Sequence, residues 1–582
     1  MKKAHFYNTL SQFPIIFRFP FIASRISGLK TLSFLLLLVM SFWNGKLVGQ
    51  TTWYVNDNSL TGDVYTSAVG NDANAGTAAA PFLTIAKAVT SAVDGDIIKV
   101  DAGSYNPNAL VISKTLLFEG TNAGIHPAVG THPSATVGTR NAESQFNRNG
   151  ITFRLNADNI KFDGFEFIGT GGRIIDVLST QSAKGFHLTN SIITDATSAS
   201  GVGKIQFASA GNNDNLLFDY NLFNDGTNHT IYLGGNGSYN NVTLQYNLFK
   251  SKTNSFFWAN STALTGGIID HNEFDGVAGT KNNNINIGQA GNLQISSNWF
   301  HGINYTAIQC GIVNGSITSN IFENYTGAPG SAQIQLWGGE WGTAVSSNVT
   351  IENNEFKYNN DAANPVTAIR LRGTGAIDGT TIHVHDNSFL DGGVHSGAYA
   401  VLHQGDQTKS VDATCNWYAT ISTPLVYDAP SLSGPVTFMP LLTTGTDNDS
   451  GLFGFQPVPN SCSCPGGTVT NTTTLKTFCT IQAAIDDAQT LAGHTITVSA
   501  GTYNEEITVN KRLTIIGAGS GSNPSTNTVI QGSTLNVPVV KIRTGGLSVS
   551  DRATIKDVYV TTNASNTISW IGGIEIDASN NN

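Results

Sequence analysis

Between residues 368 and 385 the chain sets two arginines and two histidines at alternating positions. Arg370 and Arg372 share one face of the run Ala368-Ile-Arg-Leu-Arg372, and His383 and His385 share one face of Thr381-Ile-His-Val-His385. A guanidinium fork can grip a carboxylate, and imidazole is the side chain suited to moving a proton near neutral pH. These four residues are the candidate catalytic group, and the chemistry they suggest is proton abstraction from an anchored acid. Paired carboxylates would suggest glycosidic cleavage instead. Asp219 and Asp270 fall two repeats apart, about 9–10 Å if strands stack at ~4.8 Å, the upper range for an inverting pair. A solvated acidic face explains those two more simply.

A third pattern suits binding. When the first strand of each repeat is aligned, its central outward position reads Gln206, Tyr232, Phe257, Asn286, Gln309, Gln335, Arg370. The neighbouring outward position reads Ala208, Gly234, Ala259, Gly288, Gly311, Trp337, Arg372. Amides offer donors and acceptors together, aromatic rings offer flat apolar faces, and a small-residue column beside them would leave a shallow trough. Gln206, Tyr232, Phe257, Asn286, Gln309, Gln335 and Trp337 are therefore the candidate glycan-binding residues. The plainer reading is that Gln and Asn simply suit stacked strands.

What must position all of these is a repeat. Nine times between residues 190 and 416 an asparagine is followed, two residues later, by a bulky apolar residue: Asn190-Ser-Ile192, Asn221-Leu-Phe223, Asn247-Leu-Phe249, Asn272-Glu-Phe274, Asn298-Trp-Phe300, Asn320-Ile-Phe322, Asn354-Glu-Phe356, Asn387-Ser-Phe389 and Asn416-Trp-Tyr418. The steps are 31, 26, 25, 26, 22, 34, 33 and 29 residues, a solenoid period with short strands and no helical spacing. Two strand-like runs stand out in most units, separated by Gly/Asn turns, as in Thr230-Ile-Tyr-Leu-Gly234 and Val242-Thr-Leu-Gln-Tyr-Asn247. The asparagines are expected to form a ladder at one corner in left-handed geometry, with the following Phe, Ile or Tyr pointing inward.

This pattern resembles the right-handed parallel β-helix family that includes pectate lyases and pectin methylesterases, over about residues 80–440. The resemblance implies an all-β right-handed solenoid. It also implies, for an enzyme of this kind, a basic residue that removes the proton beside a uronate, often with calcium. Arg370, Arg372, His383 and His385 would fill that role, yet no Asp/Glu cluster stands beside them to ligate calcium.

A second copy of the opening occurs near a 397-residue offset. Pro81-Phe-Leu-Thr-Ile-Ala-Lys-Ala-Val-Thr-Ser-Ala-Val93 is matched by Thr480-Ile-Gln-Ala-Ala-Ile-Asp-Asp-Ala488, and Lys114-Thr-Leu-Leu-Phe-Glu-Gly120 by Lys511-Arg-Leu-Thr-Ile-Ile-Gly517. Each is read as an N-terminal capping helix followed by strands, since an uncapped β-helix exposes strand edges. The expected organisation is a leader over 1–50, a β-helix over 51–442, a linker over 443–470 and the start of a second β-helix over 471–582. The second opening resembles that of pectin methylesterases, but no Phe-Ile-Phe-Gly-like run follows, so that activity is not carried over. The chain stops at Asp577-Ala-Ser-Asn-Asn-Asn582 in apparent mid-repeat, so a longer parent chain is expected.

Residues 1–50 hold six basic residues and no acid, with Leu32-Ser-Phe-Leu-Leu-Leu-Leu-Val-Met40 as a signal-peptide core too short to span a bilayer. Cleavage near Gly49 or Gln50 would take the formal charge from −10 to −16, which disfavours nucleic acid and anionic membranes as partners. A secreted or cell-surface location follows, with a polysaccharide or cell-surface glycan as partner and no membrane insertion of the mature chain. Five cysteines are too few for a disulfide scaffold. Cys310 reads as a buried thiol and Cys464–Cys479 as a clasp, because no histidine accompanies Cys462, Cys464 and Cys479 at zinc-like spacing. His126 and His132, with Thr139-Arg-Asn-Ala-Glu143, lie in a long loop expected to be an ordered insertion along the flank. Two functions remain: a non-catalytic glycan-binding or adhesive β-helix, or a polysaccharide lyase or related enzyme acting on uronate-containing glycans.

Overall fold

The computed structural model describes residues 49–577 apart from 128–138, 171, 198–202, 209–212, 226–228, 235–237, 252–254, 277–282, 304, 324–331, 358–365, 374–375, 391–398, 419–425, 429–435, 535, 546–551 and 563–572. The expected leader, apart from its last two residues, and His132 lie outside them.

From Thr52 to Thr437 the chain winds as a parallel β-helix whose coils carry three strands, one more than the sequence pattern suggested. One coil runs Ile231–Leu233, Thr243–Gln245, Leu248–Ser251, and each strand pairs in parallel with its counterpart in the next coil. The third strand is the Asn-x-Phe segment itself, stacked into a 12-stranded sheet. Three-residue strands are too short to show alternation, so this one is invisible to a period-2 search.

The inward residues of that sheet form a continuous aromatic column. Phe223, Phe249, Phe274, Phe300, Phe322, Phe356, Phe389 and Tyr418 stack with centroids 4.6–5.2 Å apart and planes within 7° of parallel. The strand spacing sets that distance. All are buried, and each contributes about 1.5–3 kcal/mol of apolar burial.

The asparagine ladder is present, with two corrections. Its left-handed residue is the one before each asparagine: Tyr220, Tyr246, His271, Ser297, Ser319, Asn353, Asp386 and Cys415 have φ between 53° and 57°. Each asparagine's Oδ1 then accepts the main-chain N–H and the side-chain amide of the asparagine one coil earlier, as Asn247 does from Asn221 at 3.0 Å each. The first repeat is also displaced by one. Asn190 itself takes φ 51°, and Ser191 donates its N–H to Asn221 Oδ1, because Ile193, not Ile192, pairs with Phe223. At another corner lies a left-handed row that the repeat did not reveal: Asn159, Gly185, Asn215, Asn241, Gly266, Asn292, Asn314 and Asn348. Only residues that tolerate positive φ occupy it.

Two short helices occur at the expected places, Ile85–Ser91 and Ile481–Asp486, each with a threonine N-cap (Thr84 and Thr480) and a buried apolar face. The first helix's last carbonyls, Val89, Thr90 and Ala92, accept from Lys114 Nζ; Ile485 and Asp487 accept from Lys511 Nζ in the second. The shared offset thus extends to the side chains that satisfy the helix ends. After the second helix, parallel strands stack in three groups, such as Gly501–Tyr503 on Thr528–Gly532 on Val558–Thr562, and one group is extended to a five-stranded sheet by the antiparallel strands Val469–Asn471 and Lys476–Phe478. Among the described residues no helix is long and apolar enough to cross a membrane.

Residues 443–470 do not hang free. Phe455 is buried and its N–H bonds the Asn353 carbonyl, while Phe453 lies against His271. Disulfides join Cys464 to Cys479, as expected, and Cys415 to Cys462, which the sequence reading did not find. Cys310 is a fully buried thiol, pushed well above its usual pKa by burial. The described part of the His126 insertion packs on the flank: His126 stacks on Tyr220, and Arg140 bonds Glu143 and the carbonyls of Ile125 and Asn190.

Candidate functional site

The first strands stack so that one outward ladder reads Arg154, Asp176, Gln206, Tyr232, Trp258, Asn286, Gln309, Gln335, Arg370. Phe257 is not on it. It pairs with Ile231 and Ile285 and is buried in the core, and Trp258 holds the outward rung. The run Ser255-Phe-Phe-Trp-Ala259 has aromatics on both faces, so alternation could not choose between two registers one residue apart. Ala259, which pairs with the inward Ile287, shifts for the same reason.

The ladder is also more covered than an open trough would be. Gln206, Asn286, Gln309 and Gln335 are 6%, 3%, 7% and 3% exposed. The small-residue column makes room for the protein itself. A Cβ on Gly234 would strike the Tyr232 ring, and one on Gly311 would strike Ala344 of the segment that folds over it. Trp337 is buried too, with the Arg372 guanidinium 5.1 Å from its ring centroid. What remains half-exposed is a patch around Tyr232 and Trp258, with the His229 ring tilted against Trp258 at 4.3 Å and stacked on Tyr232 at 5.9 Å. Beside it, Gln206 Oε1 and Asn286 Oδ1 are buried acceptors with no hydrogen-bond partner among the described residues.

His229 joins this patch through neither the repeat nor a motif, and its Nδ1 is also without a partner among the described residues. Burial holds its pKa down, at about 4, so the ring is neutral at physiological pH. As pH falls from about 6.5 towards 4, the unfolded chain takes up a proton that the folded ring refuses, and stability drops. A His229→Gln variant lacks that slope. Thermal midpoints of the two proteins across this range should converge as the pH falls, and parallel curves would contradict the assignment.

Asp176, the ladder's one carboxylate, lies fully buried, 3.0 Å from Arg173 and 3.7 Å from Arg154. That is an ion pair that neutralises a buried charge, with no room for an acid catalyst. At the other end Arg370 donates from Nε to Gln404 Oε1 at 2.7 Å, and Arg372 lies 3.5 Å from Glu340. Burial, then the neighbouring Arg372 charge, lowers the Arg370 pKa.

His383 and His385 sit on Ile382–His385, in the second strand of their coil, where His383 pairs with Asp412 of the next coil. His385 Nε2 is 3.0 Å and His383 Nδ1 4.0 Å from Asp412 Oδ2. The hydrogen bond to Asp412 raises the His385 pKa, and the same bond lowers that of Asp412 to about 2. The charges that act on Arg370 are Arg372, Tyr305 and Glu340, and those that act on His385 are Asp412, Glu352 and Asp386. The four candidate catalytic residues therefore form two clusters, each with its own partners. Asp219 and Asp270 keep their two-rung separation, but each is engaged, Asp219 with His187 at 2.8 Å and Asp270 with Ser296 and His271 at 2.6 Å. For calcium the donors do not fit: the one group of three potential metal ligands among the described residues is His383, His385 and Asp412, two nitrogens and a single carboxylate.

No family model matches the sequence, and no curated protein does. Solved structures match at a distance. The complex of XylC with xylose aligns with a TM-score of 0.30 at 12% identity, covering 61% of this chain and 76% of that one. Pectate lyase Pel9A gives 0.24 at 13%, covering 73% and 94%, and a rhamnogalacturonan lyase gives 0.25 at 13%, covering 67% and 87%. The β-helix itself rests on this chain's own long parallel sheets.

Proposed function

We propose that the chain is an exported β-helix protein that binds polysaccharide non-catalytically, as a cell-surface glycan-binding or adhesive module. The observation that carries this reading is the half-exposed Tyr232–Trp258 patch, bordered by acceptors of Gln206 and Asn286 that have no hydrogen-bond partner among the described residues. Flat rings take the apolar face of a pyranose, and the side-chain amides of Gln206 and Asn286 lie on the neighbouring rungs. The covered stretches at Gly234 and Gly311 confine the contact to a few sugar units instead of a long trough. The two disulfides and the basic, apolar leader support export. In this reading helix Ile85–Ser91 caps the β-helix of residues 51–442, residues 443–470 join it to the next module, and residues 471–582 begin a second β-helix with its own capping helix. The acidic balance argues against nucleic acid as a partner.

The competing reading, a uronate-directed lyase using Arg370, Arg372, His383 and His385, requires two clusters with separate partners to converge on one sugar. A panel of neutral and uronate-containing polysaccharides, followed by affinity electrophoresis and by absorbance of unsaturated products, separates the two. Retention without products is expected. Trp258→Ala should weaken retention by about 30-fold, the ~2 kcal/mol of an interface anchor. Products that vanish in Arg370→Ala or His385→Ala, or retention indifferent to Trp258→Ala, would refute the binding reading.

A further inference from the structure

We propose that His383, His385 and Asp412 form a binding site for a divalent transition metal of the zinc class. The site does not depend on the glycan reading, which uses another ladder.

Three features support it. First, one ligand atom from each residue lies within 4.8 Å of the other two. Zinc holds imidazole nitrogen at about 2.0–2.1 Å and carboxylate oxygen at about 2.0–2.2 Å, so one ion between them needs only small side-chain rotations. The two histidines alternate on one strand and project to the same side, and parallel register sets Asp412 opposite His383. Second, the carboxylate is oriented. Asp412 Oδ1 accepts the Thr414 N–H at 3.2 Å and its hydroxyl at 2.9 Å, so Oδ2 is turned to both imidazoles. A polar group that fixes the far oxygen of a ligand is the usual support of a metal site. Third, the group is open to solvent: the side chains of His383, Asp412 and His385 are 46%, 41% and 28% exposed. Three protein ligands on one side leave a position for water or a substrate oxygen.

The donor set selects the metal. Two imidazoles and one carboxylate suit zinc, cobalt or nickel, whereas calcium and magnesium want oxygens throughout. An upstream comparison lies on the same series of strands. His187 bonds Asp219 at 2.8 Å, but the position two residues on from His187 is Thr189. That pair is a histidine–carboxylate bond without a second imidazole.

The test is metal binding by the untagged chain, with Zn2+ alone as the probe and Ca2+ as the comparison, read by equilibrium dialysis with elemental analysis. One zinc per chain is expected, with no calcium competition. His383→Gln and Asp412→Asn should each lower the affinity by about 100-fold, and Thr414→Val by about tenfold through the freed carboxylate. His187→Gln should change nothing. Co2+ should give the visible band of a low-symmetry nitrogen/oxygen site in the wild type and lose it in His383→Gln. His383 is exposed enough that its loss spares the fold, which circular dichroism would verify. Substoichiometric zinc, or equal binding by His383→Gln and Asp412→Asn, would overturn the proposal.

Discussion

Replacing Asn298 with alanine lowers the stability of the β-helix by about 4 kcal/mol, because several buried polar groups lose their partner together. Asn298 Nδ2 donates to the carbonyls of Ile269 and Ser296 at 2.8 Å and to Asn320 Oδ1 at 3.0 Å. Its Oδ1 accepts the main-chain N–H of Asn272 at 2.9 Å and its side-chain amide at 3.0 Å. The residue is wholly buried, so no water replaces these bonds. Each stranded donor or acceptor costs about 1–3 kcal/mol, and partial relaxation keeps the total below their sum. Asn241 provides the contrast. It belongs to the other left-handed row, is exposed, and its amide bonds Asn215 at 3.1 Å. Asn241→Gly keeps the positive φ and should cost less than about 1 kcal/mol. Urea midpoints of the two variants measure the difference. If Asn298→Ala costs no more than Asn241→Gly, the buried ladder is not what ties the coils together.

Phe300→Ala should cost a further independent 3–5 kcal/mol. The ring is fully buried between Phe274 at 4.7 Å and Phe322 at 5.0 Å, with interplanar angles of 4° and 5°. Its neighbours are tied to strands at fixed spacing, so they cannot close over the cavity. Phe300→Leu keeps most of the volume and should cost under about 1.5 kcal/mol. Because coils contact only their neighbours, damage at an interior rung should also release amide protection first in the adjacent coils. Hydrogen exchange that rises uniformly along the solenoid would argue against that locality.

The Asn-x-Phe phrase was legible because it repeats in residue type at nearly constant spacing, and it revealed the fold. The recurrence of the helix, strand and lysine at one offset was legible in the same way, and helices stand at both places, Ile85–Ser91 and Ile481–Asp486; the Cys464–Cys479 bridge closes only 15 residues. The failures have three causes. Phe257 and Trp258, and Asn190 and Ser191, were exchanged by a slip of one residue, and in a strand such a slip reverses the face. The third strand was missed because three residues carry too little pattern. Cys415–Cys462 spans 47 residues, and His385–Asp412 depends on pairing between coils.

The sequence alone determined that this chain stacks short parallel strands into a solenoid with an asparagine ladder and an aromatic core column. Local alternation and repeated residue types are properties of the chain by itself. The tertiary structure decided which outward rung each residue holds, which rungs are covered, and which polar groups meet. The turns between strands vary in length from coil to coil, so register is settled only when neighbouring coils bury their apolar faces together. The Tyr232–Trp258 patch and the His383–His385–Asp412 group are consequences of that register.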